Sequence, residues 1–177
     1  TSLPTFVNIS SGGIHEIKSL DLIDIEPLAI YIMDKGFMDF ERFNRLKLLH
    51  AYFIIRAKKN QAYNRIYSLP VSGQQNVMSD QVIRMTGPKT SVHYPDKLRR
   101  IRYYDELNDR YIVFITNNFS LPSKTISDLY KERWKIELFF KWIKQHLRIK
   151  SFFGRSPNAI KSQIWIAISV YVLVIII

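Results

Sequence analysis

The sequence contains no cysteine among its 177 residues. Disulfide bonds and cysteine-ligated metal sites are therefore excluded, and a reducing compartment is compatible with the chain although not required by it. Internal repeats and low-complexity tracts are also absent from the sequence. The chain does have a hydrophobic content of 47% and an aromatic content of 14%, which are typical of a globular domain and exclude a disordered protein.

Acidic residues are few. The sequence has 15 Asp and Glu and 26 Lys and Arg, which gives a net charge of +11. Such an excess favours a polyanionic partner, most simply nucleic acid, with an anionic membrane surface as the alternative. The positive charge is concentrated between residues 131 and 161, where nine basic residues accompany two glutamates. A basic face of this kind is the expected footprint of phosphate contacts.

Leu28–Met33 is a continuous apolar run, which predicts a central strand buried on both faces. It ends at Asp34, beside a turn that Gly36 permits. Open α/β sheets bind ligands at the carboxyl ends of their strands, so Asp34 is a candidate site residue. The alternative is that the Asp34 side chain only shapes the turn.

The other elements before residue 117 are predicted from shorter patterns. We expect a strand at Pro4–Ile9, a helix at Ile14–Ile25, a helix from its N-cap Asp39 to about His50 with Leu49 facing inward, and a strand at Tyr52–Ala57.

Residues 58–116 form a block without an evident helix. Four strands are predicted in it, the last two joined by a hairpin loop at Asp105–Asp109: Tyr63–Leu69, Gln81–Met85, Arg99–Tyr104 and Arg110–Thr116. The block is expected to be a β-rich insertion. Its Arg99, Arg100 and Arg102 alternate with apolar and aromatic residues, which suits either nucleic-acid contact or a small core around Ile101 and Tyr103.

Leu121–Lys150 is predicted to be one long helix, since Pro122 suits its first turn and no later Gly or Pro interrupts it. On such a helix Tyr130, Arg133, Glu137 and Lys144 lie within about 60° of one another. A carboxylate flanked by cationic and phenolic groups can hold a metal ion while its neighbours hold phosphate oxygens. The alternative is that the i,i+4 charge pairs only support the helix.

An apolar stripe is predicted beside this polar stripe, formed by Leu129, Ile136, Phe140, Ile143 and Leu147. Asn158–Ile177 is predicted to be a final apolar helix packed on the central sheet, with a membrane anchor as the alternative. The chain begins on Thr1 and ends inside this apolar run, so we expect it to be a fragment.

The pattern Tyr130-x2-Arg133-x3-Glu137-x6-Lys144 resembles the Y-R-E-K signature of bacterial insertion-sequence transposases of the DDE class. The segment Tyr31–Phe43 (YIMDKGFMDFERF) is similar to their strand that carries the second catalytic Asp, and Leu129–Ile168 is similar to the helix of the third carboxylate together with the segment after it. The resemblance extends over essentially the whole chain.

The resemblance implies an α/β, ribonuclease H-like fold: a mixed sheet flanked by helices, with a β-rich insertion before the last catalytic helix. Residues 1–57 and 117–177 would form the core, and residues 58–116 the insertion. It implies Mg²⁺- or Mn²⁺-dependent cleavage and transfer of DNA strands at element ends, with Asp34 and Glu137 as catalytic metal ligands. Tyr130, Arg133 and Lys144 would then contact phosphates of the DNA.

One element of the family pattern has no match in this sequence. The family's first catalytic Asp lies on the first strand of the sheet, and Asp21 and Asp24 are too close to Asp34 to take its place. We therefore expect this chain alone to be inactive, and the alternative function is a non-catalytic DNA-binding remnant. The expected partners are double-stranded DNA and further copies of the protein, in the bacterial cytoplasm at the nucleoid and without a membrane.

Overall fold

The structure is a computed structural model that describes residues 3–4, 6–10, 16–146, 154 and 156–176. The chain divides into two compact units. One unit is His15–Arg133, and the other combines Thr1–Ile14 with Trp134–Ile177.

The unit His15–Arg133 contains a mixed sheet of six strands in the order β1-β2-β6-β5-β4-β3. β1 and β2 are parallel, and every other neighbouring pair is antiparallel. The strands are β1 Ile30–Met33, β2 Tyr52–Arg56, β3 Tyr63–Leu69, β4 Val77–Met85, β5 Lys97–Asp105 and β6 Arg110–Thr116. This architecture confirms the predicted mixed α/β sheet.

Three α-helices belong to the same unit: α1 Phe40–Leu48, α2 Pro88–His93 and α3 Ser123–Lys131. Successive residues of a strand point to opposite faces of a sheet, so the buried strand β2 supplies both cores. Phe53 packs with α1 residues such as Phe43 on one face, where the two rings stack 4.3 Å apart. Ile54 packs with Ile126 and Tyr130 of α3 on the other face.

β1 occupies an edge of the sheet that the structure describes, not the centre that its apolar sequence predicted. Its only described neighbour is β2, so three of its four residues are half-buried. The prediction that both faces of β1 are packed is nevertheless correct, because Tyr31 packs on the α1 side whereas Ile30 and Ile32 pack on the α3 side.

The block 58–116 has all four predicted strands, with β4 and β5 longer than expected and a one-turn 3-10 helix, Glu106–Asn108, in the hairpin loop. The expected absence of helix is wrong, since α2 begins at Pro88, directly after Gly87. β6 pairs with β2, so these strands continue the sheet that begins with β1. The division into core and insertion at residues 58 and 116 stays a prediction.

Arg99 is buried, which corrects the possibility that it contacts nucleic acid. Its Nε donates to both carboxylate oxygens of Asp80, at 2.9 and 3.0 Å, and its Nη1 donates to the carbonyls of Asn118 and Leu121. Ile101 and Tyr103 are buried as the core alternative predicted. The pair Asp80–Arg99 therefore ties the sheet to the segment that leads into α3.

The elements predicted before β2 differ in part from those in the structure. Asp39 caps α1 by accepting from the Arg42 N–H at 3.0 Å, as predicted, but α1 ends at Leu48 and Leu49 is exposed. The segment predicted as a helix at Ile14–Ile25 is a 3-10 helix over Glu16–Leu22, and residues 14 and 15 lie outside the described residues. Residues 4 and 6–9 are not a strand, contrary to prediction.

The predicted long helix is interrupted at Glu132 and Arg133, so the prediction of one helix is wrong. The N–H groups of these residues bond to the carbonyls of Leu129 and Tyr130, three residues back, at 3.1 Å each. This tighter 3-10 spacing ends α3. A separate helix, α4, covers Trp134–His146. Residues 147–150 lie outside the described part of the chain.

The second unit contains α4 and α5, which covers Pro157–Ile176. Phe139, Trp142 and Ile143 of α4 pack with Tyr171 and its neighbours on α5. Ile143 is buried as predicted, whereas Ile136 and Phe140 are exposed, so the predicted apolar stripe is wrong at those two positions. Leu147 lies outside the described residues.

α5 is long and apolar enough to cross a membrane, with a mean hydropathy of 2.0 over its most apolar window. Core helices of soluble proteins meet the same criterion, so this finding alone does not assign a membrane span. The structure describes a cluster in which α5 packs with α4 and with Val7. Its predicted packing on the central sheet stays a prediction.

Candidate functional site

Asp34 directly follows β1, at the carboxyl end of the strand, where the sequence predicted it. It precedes a one-turn 3-10 helix, Lys35–Phe37, whose Phe37 N–H bonds to the Asp34 backbone carbonyl at 2.9 Å. The Asp34 side chain makes no capping hydrogen bond to this turn. The half-buried carboxylate is thus left for a contact other than turn formation.

Tyr130 is brought to Asp34 by α3. The amphipathic helix packs on the sheet and leaves Tyr130 only 7% exposed, with its ring 4.7 Å from that of Phe114 on β6. The Tyr130 hydroxyl donates to Oδ1 of Asp34 over 3.4 Å. Two of the five predicted site residues, 96 positions apart in the sequence, are therefore in contact.

The electrostatic surroundings keep the Tyr130 hydroxyl protonated. Burial, and next the Asp34 carboxylate, raise the pKa of Tyr130 to about 12, although Arg133 and Arg56 act in the opposite direction. The Arg133 guanidinium lies 5.8 Å from the centre of the Tyr130 ring. At neutral pH Tyr130 is therefore a hydrogen-bond donor toward Asp34.

Arg56 is a site residue that the sequence reasoning missed. It is the last residue of β2, which runs parallel to β1, so it lies at the same edge of the sheet as Asp34. Its positive charge acts on Tyr130. The available signal was a cation at the end of a predicted apolar strand, next to the strand that carries Asp34.

Replacing Tyr130 by Phe is expected to change the pH dependence of stability. The folded-state pKa of about 12 exceeds the ordinary value of 10.0, so the proton is held more tightly in the folded chain. This stabilisation is complete below pH 10 and is lost as the pH rises through 12. The free energies of unfolding of the wild type and the Phe variant should differ by less than about 1 kcal/mol at pH 8.

Between pH 10 and 12 the wild type should lose stability relative to the Phe variant. Urea unfolding at several pH values measures this difference, and ultraviolet titration of the folded proteins gives the pKa directly. Parallel stability profiles across pH 10–12, together with a wild-type titration identical to that of the variant near pH 12, would contradict the described environment of Tyr130.

Glu137 and Lys144 lie on α4, in the unit that contains Trp134–Ile177. Glu137 is half-buried and Lys144 is exposed. The shared polar stripe was calculated for an uninterrupted helix, and that calculation does not apply across the break at 132–133. The association of Glu137 and Lys144 with Asp34 stays a prediction.

Comparison with known proteins decides the family. The sequence family described as Transposase DDE domain matches residues 1–173. The chain belongs to the DDE transposases. Its relatives include a putative transposase, y4zB, of Sinorhizobium fredii, which is 32% identical over 174 residues, covering 96% of this chain and 48% of the relative.

Two further relatives carry insertion-sequence names. The probable transposase for insertion sequence element IS5377 of Geobacillus stearothermophilus is 32% identical and covers 81% of this chain and 38% of its own length. The putative transposase for insertion sequence element IS4SA of Synechocystis is 26% identical and covers 98% and 49%. The chain thus spans less than half the length of each of these relatives.

Membership of the DDE transposases confirms the resemblance to that class, and the mixed six-stranded sheet flanked by helices agrees with the ribonuclease H-like fold of such enzymes. The Y-R-E-K assignment itself stays a prediction. Transposases of this family act on DNA and generally use a divalent metal.

The fit of a divalent metal to this transposase chain is incomplete. The Asp34 carboxylate offers the hard oxygen ligands that Mg²⁺ and Mn²⁺ prefer, at a partly accessible strand end. Among the residues that the structure describes, no group of three or more His, Cys, Asp or Glu side chains could hold a metal ion. A complete metal centre therefore needs further ligands in addition to Asp34.

Proposed function

We propose that the whole protein is a DNA transposase that cleaves and transfers DNA strands at the ends of an insertion sequence with Mg²⁺ or Mn²⁺. The observation that carries the proposal is the Asp34 carboxylate at the carboxyl end of β1, contacted by Tyr130, in a member of the DDE transposases. In this proposal Asp34 and Glu137 are the second and third catalytic carboxylates and the metal ligands. The assignment of Glu137 rests on the sequence pattern.

The basic residues around Asp34 support a DNA substrate. Lys35 follows Asp34 directly, and Lys58 and Lys59 follow β2 at the same edge of the sheet. All three side chains are exposed, so they are available to phosphates. We assign Tyr130, Arg133 and Lys144 to phosphates of the element end, and a phosphate at the Tyr130 hydroxyl would lie beside Asp34.

In the proposed reaction, these residues position the DNA phosphates and neutralise their charge. Phosphoryl transfer needs mainly positioning and charge neutralisation, which cations such as Arg133 and Lys144 supply at the phosphates. A divalent ion held by Asp34 and Glu137 would supply charge stabilisation at the reacting phosphate. In this structure the Tyr130 hydroxyl donates its single proton to Asp34, and in the proposed complex with DNA it would donate to a phosphate oxygen instead.

The proposed partners are double-stranded DNA, at both the element ends and the target, and further copies of the protein on that DNA. The proposed location is the bacterial cytoplasm at the nucleoid. The net charge of +11 favours such a partner.

The test is a cleavage assay with the complete protein and a duplex taken from the genomic ends of its own element. Strand breaks at the element boundary in Mg²⁺ or Mn²⁺, and none in EDTA, are expected. Salt-dependent binding to the duplex without any cleavage in either metal would replace this proposal by the alternative, a DNA-binding protein without catalysis. Absence of DNA binding would contradict both.

A further inference from the structure

A second candidate site lies at the opposite end of the sheet from Asp34. An open groove of about 670 Å³ is lined there by residues before β1 and β2, after β6, at the end of β4 and at the start of β5, among them Leu28, Leu48, Arg84, Lys97 and Phe119. The four residues of β1 extend roughly 13 Å, so this groove is separate from the site at Asp34.

The first unusual feature of the groove is a pair of like charges. Arg84 on β4 and Lys97 on β5 are direct cross-strand partners, and both are exposed. Like charges in this arrangement repel each other. Neither side chain has an ion pair or hydrogen bond with any residue in the part of the chain that the structure describes. The nearby Asp96 is paired with Lys47 instead.

The second feature is an apolar surface beside these charges. Leu28 is 72% exposed, Leu48 is 67% exposed and Phe119 is 45% exposed, although all three line the groove. Double-stranded DNA presents phosphates and groove edges to a protein, so a duplex would make no contact with the apolar surface. Unpaired bases, by contrast, stack on aromatic and apolar side chains while their phosphates meet cations.

The third feature is a backbone fixed by a helix cap and a turn in the lining. Leu28 and His50 both have left-handed backbone angles, with φ of 66° and 58°, which non-glycine residues seldom adopt. They are joined by a hydrogen bond of 2.9 Å from the Leu28 N–H to the His50 carbonyl. The left-handed His50 ends α1, where the Ala51 N–H bonds to the Leu46 carbonyl at 2.9 Å, and the left-handed Leu28 follows Pro27 in a turn closed by the Ala29 N–H and the Glu26 carbonyl at 3.3 Å. These bonds fix the backbone at Leu28, whose side chain is exposed.

We propose that this groove binds an unpaired DNA segment, with phosphates between Arg84 and Lys97 and bases against Phe119, Leu28 and Leu48. The choice of DNA over another polyanion rests on the proposed function. The site itself is independent of Asp34, and it would hold single-stranded DNA away from the site of cleavage.

The test is fluorescence anisotropy of the full 177-residue chain with a dye-labelled oligo-dT of about 12 nucleotides. The double variant Arg84→Gln/Lys97→Gln should bind about tenfold more weakly, and the slope of log K against log salt should fall by about 1.4, since each phosphate contact on a single strand contributes about 0.7. The matched control is Lys18→Gln/Arg65→Gln, which removes two exposed charges outside the groove.

Two further measurements separate the parts of the proposal. Phe119→Ala should weaken oligo-dT binding about tenfold but leave an abasic oligonucleotide of the same length unaffected, because only stacking is lost. The Gln double variant should keep wild-type thermal stability or exceed it, since a repulsive pair has been removed.

Oligo-dT affinities within twofold of wild type in the double variant would overturn the proposal. So would a labelled polyglutamate peptide that binds through Arg84 and Lys97 while oligo-dT does not, because the occupant would then be an acidic protein segment. Loss of duplex cleavage by the complete protein, with oligo-dT binding intact, would count against the proposed function and leave this site standing.

Discussion

Asp34→Asn is expected to lower the Mg²⁺-dependent cleavage rate of the complete transposase about a thousandfold. The variant keeps the size of the side chain and its acceptor oxygen for Tyr130, but it removes the negative charge that a divalent ion requires. Loss of several kcal/mol of transition-state stabilisation corresponds to this factor, at about 1.4 kcal/mol for each tenfold change. Initial rates on a duplex that carries the element end measure the effect.

The matched control for this prediction is Asp24→Asn. Asp24 is an exposed carboxylate that precedes β1, at the end of the strand opposite to Asp34, so the same chemical change should leave the rate within about threefold of wild type. Both variants should unfold at nearly the wild-type urea concentration. Equal rates for Asp34→Asn and the wild type would remove Asp34 from the catalytic site.

Asp80→Ala is expected to destabilise the unit His15–Arg133 by about 3–5 kcal/mol. The substitution leaves the Arg99 guanidinium buried without its carboxylate, and breaking a buried pair from one side costs about that much. It also loosens the attachment of Leu121 and Asn118, through which Arg99 holds the segment before α3. Urea unfolding followed by circular dichroism measures the loss.

Two controls distinguish a buried charge from a general loss of packing. Asp128→Ala removes a carboxylate that pairs with Lys124 and Lys131 on the surface of α3, and should cost less than about 1 kcal/mol. Asp80→Leu/Arg99→Met replaces the whole pair by apolar groups and should recover most of the stability. An Asp80→Ala effect no larger than that of Asp128→Ala would contradict the described core.

The six strands of the sheet and the position of Asp34 were predictable because their signals are local. An apolar run that ends at an Asp-Lys-Gly turn places Asp34 at a strand end, and the capping role of Asp39 follows from its position before an amphipathic segment. The family pattern then indicated Tyr130 as a site residue, and the structure adds its contact with Asp34.

The features that were not predictable depend on contacts between distant residues. Arg99 looks like a surface cation in a basic segment, and only its pairing with Asp80, 19 residues away across β4 and β5, shows that it is buried. The break at 132–133 contains neither Gly nor Pro, so its sequence carries no stop signal. Arg56 gains its role from the parallel pairing of β2 with β1.

The central claim is that Asp34 and Glu137 bind the same divalent ions. The most direct test replaces Mg²⁺ by Fe²⁺ in the complete protein bound to its element-end DNA, adds ascorbate and peroxide, and maps the backbone cuts by mass spectrometry. Hydroxyl radicals cut only near the bound iron, so we predict cuts around both residue 34 and residue 137, and the loss of both in Asp34→Asn. Cuts confined to one of the two regions, or unchanged in the variant, would contradict the claim.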